Sequence, residues 1–209
     1  MQLELFGDHK ENLRLADGKI FLTVQGEGQL MGLSSVFVRF AGCSVGCKGC
    51  DTNYDFDVVS MGVDSVVAEI NSYRKLADWV WLTGGEPTDQ DLKSLIDSLH
   101  DQKYKFKIAM ASSGTNVVIH KYKLDFVSIS PHGKPEDLKV HYGNQINLVP
   151  SLNNLRLADW TDYEFEGFEH KYVTPYSGKK ESLKECLDWI KLFPDFRLGI
   201  QAHKHWDLK

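Results

Sequence analysis

Short apolar segments alternate with amphipathic segments along most of this chain, and this alternation limits the folds that it can adopt. The apolar segments predict strands at residues 36–40, 79–82, 106–111, 126–130, 146–149, 172–173 and 197–201. Helical patterns occupy residues 64–76, a stretch that begins at residue 88, and residues 182–193. Such alternation favours parallel strands joined by crossovers, which is an α/β domain. Because helices follow only some strands, we expect an open, partial β/α barrel that is reduced in helices.

Each helical pattern predicts a buried face. In chain order, the predicted inward residues are Val66, Ile70, Tyr73 and Leu76, then Leu92, Leu95, Ile96 and Leu99, then Leu183, Leu187 and Ile190. Thr88 and Asp91 form a capping-box signature, which predicts that the second helix begins at Thr88.

The composition bounds the class of protein. The chain has 209 residues, of which 42% are hydrophobic and 25% charged, so we expect one globular domain over residues 1–209. A net charge of -5 argues against nucleic-acid or membrane binding driven by charge alone. The sequence has no apolar run of membrane-spanning length and no signal-peptide pattern at its start. We therefore predict a cytosolic protein, in which thiols stay reduced.

The unusual polar loops of the sequence each follow a predicted strand. They are the cysteine loop at 43–50, TGGEP at 83–87, SSGT at 112–115 and SPHGK at 130–134. In folds of this class, chemistry takes place at the carboxyl ends of the strands. We therefore expect these loops to meet at one rim.

Three of the four cysteines lie in one loop with the spacing C-x3-C-x2-C, at Cys43, Cys47 and Cys50. A zinc ribbon needs a second cysteine pair or paired histidines, and neither follows at usable spacing. Cys186 lies in a helical apolar pattern and is interpreted as a core residue. An iron–sulfur cluster held by three thiolates is the remaining interpretation. It leaves one iron open to a small molecule, because clusters of four irons normally take four cysteines.

The cysteine spacing resembles the signature of the radical S-adenosylmethionine (SAM) superfamily, and Gly84, Gly85 and Glu86 resemble its GGE segment. The resemblance implies a 4Fe–4S cluster whose open iron binds the amino and carboxylate groups of SAM. One electron from the reduced cluster would then cleave SAM to a 5′-deoxyadenosyl radical that abstracts hydrogen.

Further motifs resemble the 7-carboxy-7-deazaguanine synthase family. They are QGEG at 25–28 with FVR at 37–39, CDT at 50–52, TGGEP at 83–87, SP at 130–131 and QAHK at 201–204. The resemblance implies a lyase that converts 6-carboxy-5,6,7,8-tetrahydropterin to 7-carboxy-7-deazaguanine with loss of ammonia. The family uses SAM catalytically, requires Mg2+ and feeds queuosine-type 7-deazapurine pathways.

The same resemblance assigns residue roles. Cys43, Cys47 and Cys50 would hold the cluster, and Thr52 would bind Mg2+. SAM would be contacted by Gly49, Cys50, Asp51, Gly84, Gly85, Glu86, Ser112, Ser130, Pro131 and Thr174. The pterin would be contacted by Val24, Gln25, Gly26, Glu27, Arg39, Thr83, His203 and Lys209, with Arg39 gripping the substrate carboxylate. The N-terminal segment 1–34 and the C-terminal tail 201–209 would thus contribute to the substrate site.

The sequence departs from the family pattern at three places. Gly49 stands where an aromatic residue normally precedes the last cysteine, so adenine stacking from that position would be lost. Residues 174–177 read TPYS where relatives carry a glutamine–proline pair, and residues 112–115 read SSGT in place of TNGT.

Two other functions are compatible with some of these motifs. A glycyl-radical activating enzyme shares the cysteine spacing but would act on a large protein partner, and the QGEG and CDT motifs favour the pterin. A non-catalytic iron–sulfur or zinc module would not need the GGEP turn. From the family we also expect a flavodoxin or ferredoxin-type reductant and a homodimer.

Overall fold

The computed structural model describes residues 12–50, 52–206 and 208. Within them, nine strands form one sheet in the order β3-β1-β2-β4-β5-β6-β7-β8-β9. In chain order the strands are β1 Asn12–Val24, β2 Ser34–Phe40, β3 Val59–Gly62, β4 Trp79–Gly84, β5 Lys107–Ser112, β6 Phe126–Ile129, β7 Gly143–Leu148, β8 Phe168–Val173 and β9 Arg197–Leu198. All pairs from β2 to β9 are parallel, while β1 pairs antiparallel with β2 and β3. The expected parallel strands with crossovers are confirmed.

The longest strand, β1, is absent from the sequence prediction. Its apolar alternation is interrupted where the register with β2 shifts between Leu15 and Ile20. Gly18 and Lys19 there have φ values of 79° and 56°. A break of this kind is a bulge, which bends the strand and hides its period of two from a sequence reading.

The described residues contain few helices, as expected. They are α1 Val63–Ser72, α2 Lys93–His100, α3 Lys180–Leu192 and α4 Ala202–His205. Short 3-10 turns replace helices in the crossovers between β5 and β8. No helix in the described ranges is both long enough and apolar enough to cross a bilayer.

Two predicted helix boundaries are wrong. α1 ends at Ser72 because the next four residues form a turn, which leaves Leu76 59% exposed. α2 begins at Lys93 rather than at Thr88. The Thr88 hydroxyl donates to Glu86 Oε1, so it does not form the predicted capping box. The predicted face of α2 is nevertheless correct, and all four of its residues are buried.

The buried face of α3 is rotated from the prediction. Ser182, Cys186 and Trp189 are buried, whereas Leu187 is 44% exposed. Ser182 turns inward because its hydroxyl donates to the Pro150 carbonyl oxygen and accepts from a backbone N–H. Burial of Cys186 confirms its interpretation as a core residue.

The two faces of the sheet have different roles. Alternate residues such as Val36, Val38 and Phe40 of β2 join the main hydrophobic core beneath the helices. Phe37 and Arg39 point to the other face, beside Trp81 and Thr83 of β4. This face is lined by aromatic and polar residues and leads to the rim at the strand ends.

Candidate active site

Two adjoining cavities open at the carboxyl ends of the parallel strands. The cysteine cavity, of about 200 Å³, is lined by Cys43, Cys47 and Cys50. The arginine cavity, of about 360 Å³, is lined by Arg39. Both cavities share Glu27, Thr52, Thr83, Ala111, Ser130 and Lys204 on their walls. The polar loops predicted to meet at one rim therefore do so.

The three thiols of the cysteine loop line one cavity. This arrangement fits an iron–sulfur cluster, in which each thiolate binds a different iron. Burial, together with the neighbouring Cys43 and Cys50, raises the pKa of the Cys47 thiol to about 12. Its proton would be displaced on binding iron.

Glycines place the TGGEP loop directly against the cysteine loop. The Gly85 N–H donates to the Phe40 carbonyl oxygen at 2.9 Å, and the Glu86 N–H donates to the Gly42 oxygen at 3.2 Å. A Cβ atom at Gly85 would lie 1.7 Å from that Gly42 oxygen. Gly84 has a φ of +115°, and a Cβ there would lie 2.3 Å from the Phe40 nitrogen. The close approach of these two loops therefore requires both glycines.

The Glu86 carboxylate is buried and fully engaged by the protein. Its Oε1 accepts from the Thr88 N–H and hydroxyl and from the Ser112 hydroxyl, at 3.1, 2.6 and 2.8 Å. Its Oε2 accepts from the Ser113 N–H and hydroxyl, at 2.8 and 2.7 Å. The carboxylate therefore links the TGGEP loop to the SSGT loop, and the backbone of Glu86 is the part of this residue that is left to contact a ligand.

The arginine cavity gathers the predicted pterin residues that the structure describes. Val24, Gln25, Gly26, Glu27, Arg39, Thr83 and His203 all line it. Arg39 and Thr83 are register partners on β2 and β4, so their side chains emerge side by side. The Arg39 guanidinium lies 4.9 Å from the centroid of the Phe21 ring, which supports it from below.

Glu27 joins the QGEG loop to the opposite wall and to the C-terminal segment. Its Oε1 accepts from Gln201 Nε2 at 3.0 Å and lies 3.7 Å from His203 Nδ1, while its Oε2 accepts from Asn147 Nδ2 at 3.3 Å. The Ala202 N–H also donates to the Gly26 oxygen at 3.0 Å. The first and last segments of the described chain thus meet at this cavity.

The predicted SAM residues that the structure describes lie in three different places. Gly49, Cys50, Gly84, Gly85, Glu86, Ser112 and Ser130 line the cysteine cavity, as does Thr52. Pro131 instead lines a neighbouring groove. Thr174 is buried and lines neither cavity, because its hydroxyl donates to Asn147 Oδ1 at 2.7 Å. Asp51 and Lys209 lie outside the described residues.

Several site residues are absent from the sequence prediction. Gln145 and Asn147 are buried amides on β7 that line the arginine and the cysteine cavity respectively. Their spacing of two puts both amides on one face of the strand, and this is the signal that could have found them. Tyr176 and Lys204 also line the cysteine cavity. Lys204 belongs to the QAHK motif, whereas no local pattern assigns Tyr176 to the site.

Comparison with known proteins agrees with this geometry. The family model described as "Radical SAM superfamily" matches residues 37–159. The fold is also similar to that of a solved structure, "Crystal structure of QueE from Escherichia coli", with a TM-score of 0.69 and 23% identity, over 91% of this chain and 95% of that one. The chain therefore belongs to the radical SAM superfamily, with the 4Fe–4S cluster and SAM that the superfamily implies.

Sequence relatives identify the family within this superfamily. A 7-carboxy-7-deazaguanine synthase from Burkholderia multivorans is 34% identical over 91% of this chain and 97% of its own length. The synthase of the same name from Bradyrhizobium diazoefficiens is 33% identical over 89% and 95%. Within the superfamily, the chain belongs to the 7-carboxy-7-deazaguanine synthase family.

Proposed function

We propose that this protein is a radical SAM lyase that contracts the ring of 6-carboxy-5,6,7,8-tetrahydropterin, releasing ammonia and 7-carboxy-7-deazaguanine for 7-deazapurine biosynthesis. One observation carries the proposal. The cavity that holds the three cysteines adjoins a second cavity lined by the QGEG loop and Arg39, with common walls. A SAM-derived radical and a carboxylated pterin need such neighbouring sites.

The cysteine cavity supplies the radical chemistry. Cys43, Cys47 and Cys50 would hold the cluster through their thiolates. When bound and reduced, the cluster would supply the one electron needed for reductive cleavage of SAM. The Glu86 carboxylate already accepts five hydrogen bonds from the protein. The SAM ammonium group would therefore be bound by backbone carbonyls of the TGGEP loop, which its glycines allow to approach closely. Gly49, Ser112 and Ser130 would complete the SAM contacts, while Thr174 acts through Asn147.

The arginine cavity supplies substrate recognition. Arg39 would grip the pterin carboxylate through two parallel N–H···O bonds. Glu27 accepts from two amides at this wall, and its carboxylate would accept from the N–H groups of the pterin edge when the substrate binds. Val24, Gln25, Gly26, Thr83 and His203 would enclose the ring, and Asp51 and Lys209 keep their predicted roles in the SAM and substrate sites.

Arg39→Ala should raise the KM for the pterin about 10–100-fold, because a charge-assisted hydrogen bond is worth about 1.5–3 kcal/mol. Arg39→Lys should recover only part of this loss, since lysine keeps the charge but not the bidentate fork. Steady-state kinetics with SAM held saturating would measure both variants.

The control for that experiment is Arg74→Ala, in the exposed turn that follows α1. Arg74 lines neither cavity, so this change should leave the KM unchanged. SAM affinity should be retained in the Arg39 variants. Equal losses of SAM and pterin affinity would rule out a carboxylate clamp.

Thr52 is the proposed Mg2+ ligand. It lies on the common wall of the two cavities, where an ion could contact both SAM and substrate. A hydroxyl is a hard oxygen ligand, and Mg2+ commonly takes one or two protein oxygens together with water and substrate. Thr52→Ala should therefore raise the Mg2+ concentration needed for half-maximal activity about tenfold or more, because loss of a residue that only orients a metal ligand already costs about 10–100-fold in affinity.

Thr52→Ser retains the hydroxyl and should keep the Mg2+ response of the unaltered protein. The visible spectrum of the cluster should be the same in both variants. An unchanged Mg2+ titration for Thr52→Ala, or loss of the cluster, would refute the assignment.

The function is tested by anaerobic reconstitution with iron, sulfide, dithionite, SAM and Mg2+. Supplied with carboxytetrahydropterin alone, the protein should form carboxydeazaguanine. Cleavage of SAM only in the presence of a glycyl-radical protein would instead support the activating-enzyme alternative, which the relatives named above do not favour.

Other expectations stay predictions that the family supports. They are a flavodoxin or ferredoxin-type reductant, a homodimer, a cytosolic location and a single domain over residues 1–209 whose two terminal segments serve the substrate site. The contacts of Gly26 and Glu27 with residues 201–203 support the last of these.

A further inference from the structure

Tyr176 reaches across the rim of the site to the cysteine loop. It lies on the segment that follows β8, and its phenol hydroxyl donates a hydrogen bond to the Gly49 carbonyl oxygen at 3.0 Å. The two residues are 127 positions apart in sequence. Both line the cysteine cavity, beside Cys50.

Tyr176 occupies the space that a side chain at position 49 would need. A Cβ atom built on Gly49 would lie 2.5 Å from the Tyr176 hydroxyl oxygen and 3.4 Å from its Cζ. Gly49 also has a φ of +80°, a backbone angle that residues with a side chain rarely adopt. A side chain at 49 and a tyrosine at 176 are therefore alternatives, and this chain carries the tyrosine.

The Tyr176 ring is held in place before any ligand arrives. Its backbone N–H donates to the Ser182 hydroxyl at 2.9 Å. The ammonium groups of Lys179 and Lys204 lie 4.8 and 5.5 Å from the ring centroid, within the range of cation–π attraction. A ring that is already positioned loses little entropy when a ligand packs on it.

We propose that Tyr176 is a SAM-contacting residue that supplies, from the segment after β8, the aromatic surface that position 49 lacks. Its ring packs against the adenosyl group, and its hydroxyl fixes the Gly49 carbonyl at the edge of the cluster loop. This inference rests on the proposed function, since it names a further contact within the same SAM site.

Equilibrium binding of SAM to the cluster-loaded protein is the first test. Tyr176→Ala should raise the Kd for SAM about tenfold, the scale of one aromatic contact with a base. Tyr176→Phe keeps the ring and should stay within about threefold of the unaltered protein, the scale of one lost hydrogen bond between neutral groups. Tyr142→Ala, an exposed tyrosine away from both cavities, serves as the control and should leave the Kd unchanged.

A second test needs neither SAM nor the cluster. Gly49→Ala should lower the Tm of the cluster-free protein less in the Tyr176→Phe background than in the native background, because the hydroxyl contacted at 2.5 Å is gone. The cost of the positive φ is the same in both backgrounds and cancels in the double-mutant cycle.

The outcomes separate this inference from the function on which it rests. If the unaltered protein binds SAM and Tyr176→Ala binds it equally well, the inference is wrong and the proposed function stands. Additive Tm changes in the cycle would likewise contradict the Gly49–Tyr176 contact. If the cluster-loaded unaltered protein fails to bind SAM, both proposals are wrong.

Discussion

Gly85→Ala should abolish cluster binding and lower the free energy of unfolding by about 3 kcal/mol or more, the upper range for an overpacked site. The added methyl group would lie 1.7 Å from the Gly42 oxygen and 3.2 Å from Cys43 Cβ. The first contact is with backbone, which cannot rotate away as a flexible side chain can. Relief of the clash would require the cysteine loop to separate from β4.

Chemical denaturation of the cluster-free protein and iron content after reconstitution would measure the two effects. Gly62→Ala is the matched control, because a Cβ there would meet Asn12 at an ordinary 3.6 Å. It should retain the cluster. A Gly85→Ala protein with full iron content and native stability would contradict the described packing of the two loops.

Glu86→Gln should lower the free energy of unfolding by about 2–3 kcal/mol, the scale of hydrogen bonds to a charged group. The carboxylate accepts five hydrogen bonds in a buried site, and an amide NH2 in place of Oε2 would face the Ser113 N–H as donor against donor. Because Ser112 and Ser113 line the cysteine cavity, SAM affinity should fall as well.

Glu164→Gln, an exposed glutamate, is the control and should change stability by less than about 0.5 kcal/mol, as surface substitutions usually do. Denaturant titration and SAM binding would be compared for both variants. A Glu86→Gln protein as stable as this control would mean that the carboxylate does not join the two loops.

The position of the site could be predicted from the sequence because it follows from topology. Cys43 and Gly85 each come just after an apolar strand, and the carboxyl ends of neighbouring parallel strands meet at one edge. The register of β2 with β4 then brings Arg39 beside Thr83. Only the order of strands and loops is needed for this result, and the sequence contains that order.

Contacts between distant segments could not be predicted in this way. The hydrogen bond from Tyr176 to Gly49 depends on where the segment after β8 crosses the rim, which no local pattern specifies. The departures from the family pattern at Gly49 and at residues 174–177 are far apart in sequence. In the structure they are in contact, through this same hydrogen bond. Thr174 is similar, since its contact with Asn147 depends on the pairing of β7 with β8.

Errors in the predicted elements have local physical causes. The bulge at Gly18 and Lys19 obscured β1. The inward turn of Ser182, whose hydroxyl bonds to the Pro150 oxygen, rotated α3 so that Leu187 faces outward. Apolar periodicity misses both features, because it does not register side-chain hydrogen bonds or left-handed backbone.

We propose that one rim joins a SAM-cleaving cavity to a pterin cavity, and the transfer of deuterium from the pterin ring tests this arrangement most directly. Cluster-loaded protein would be given reductant, Mg2+, SAM and carboxytetrahydropterin deuterated at its ring carbons. Catalytic use of SAM predicts that carboxydeazaguanine accumulates in excess over the SAM supplied, and that deuterium from the pterin appears in the SAM pool. SAM cleavage at the same rate without the pterin, with no deuterium transferred, would contradict the account.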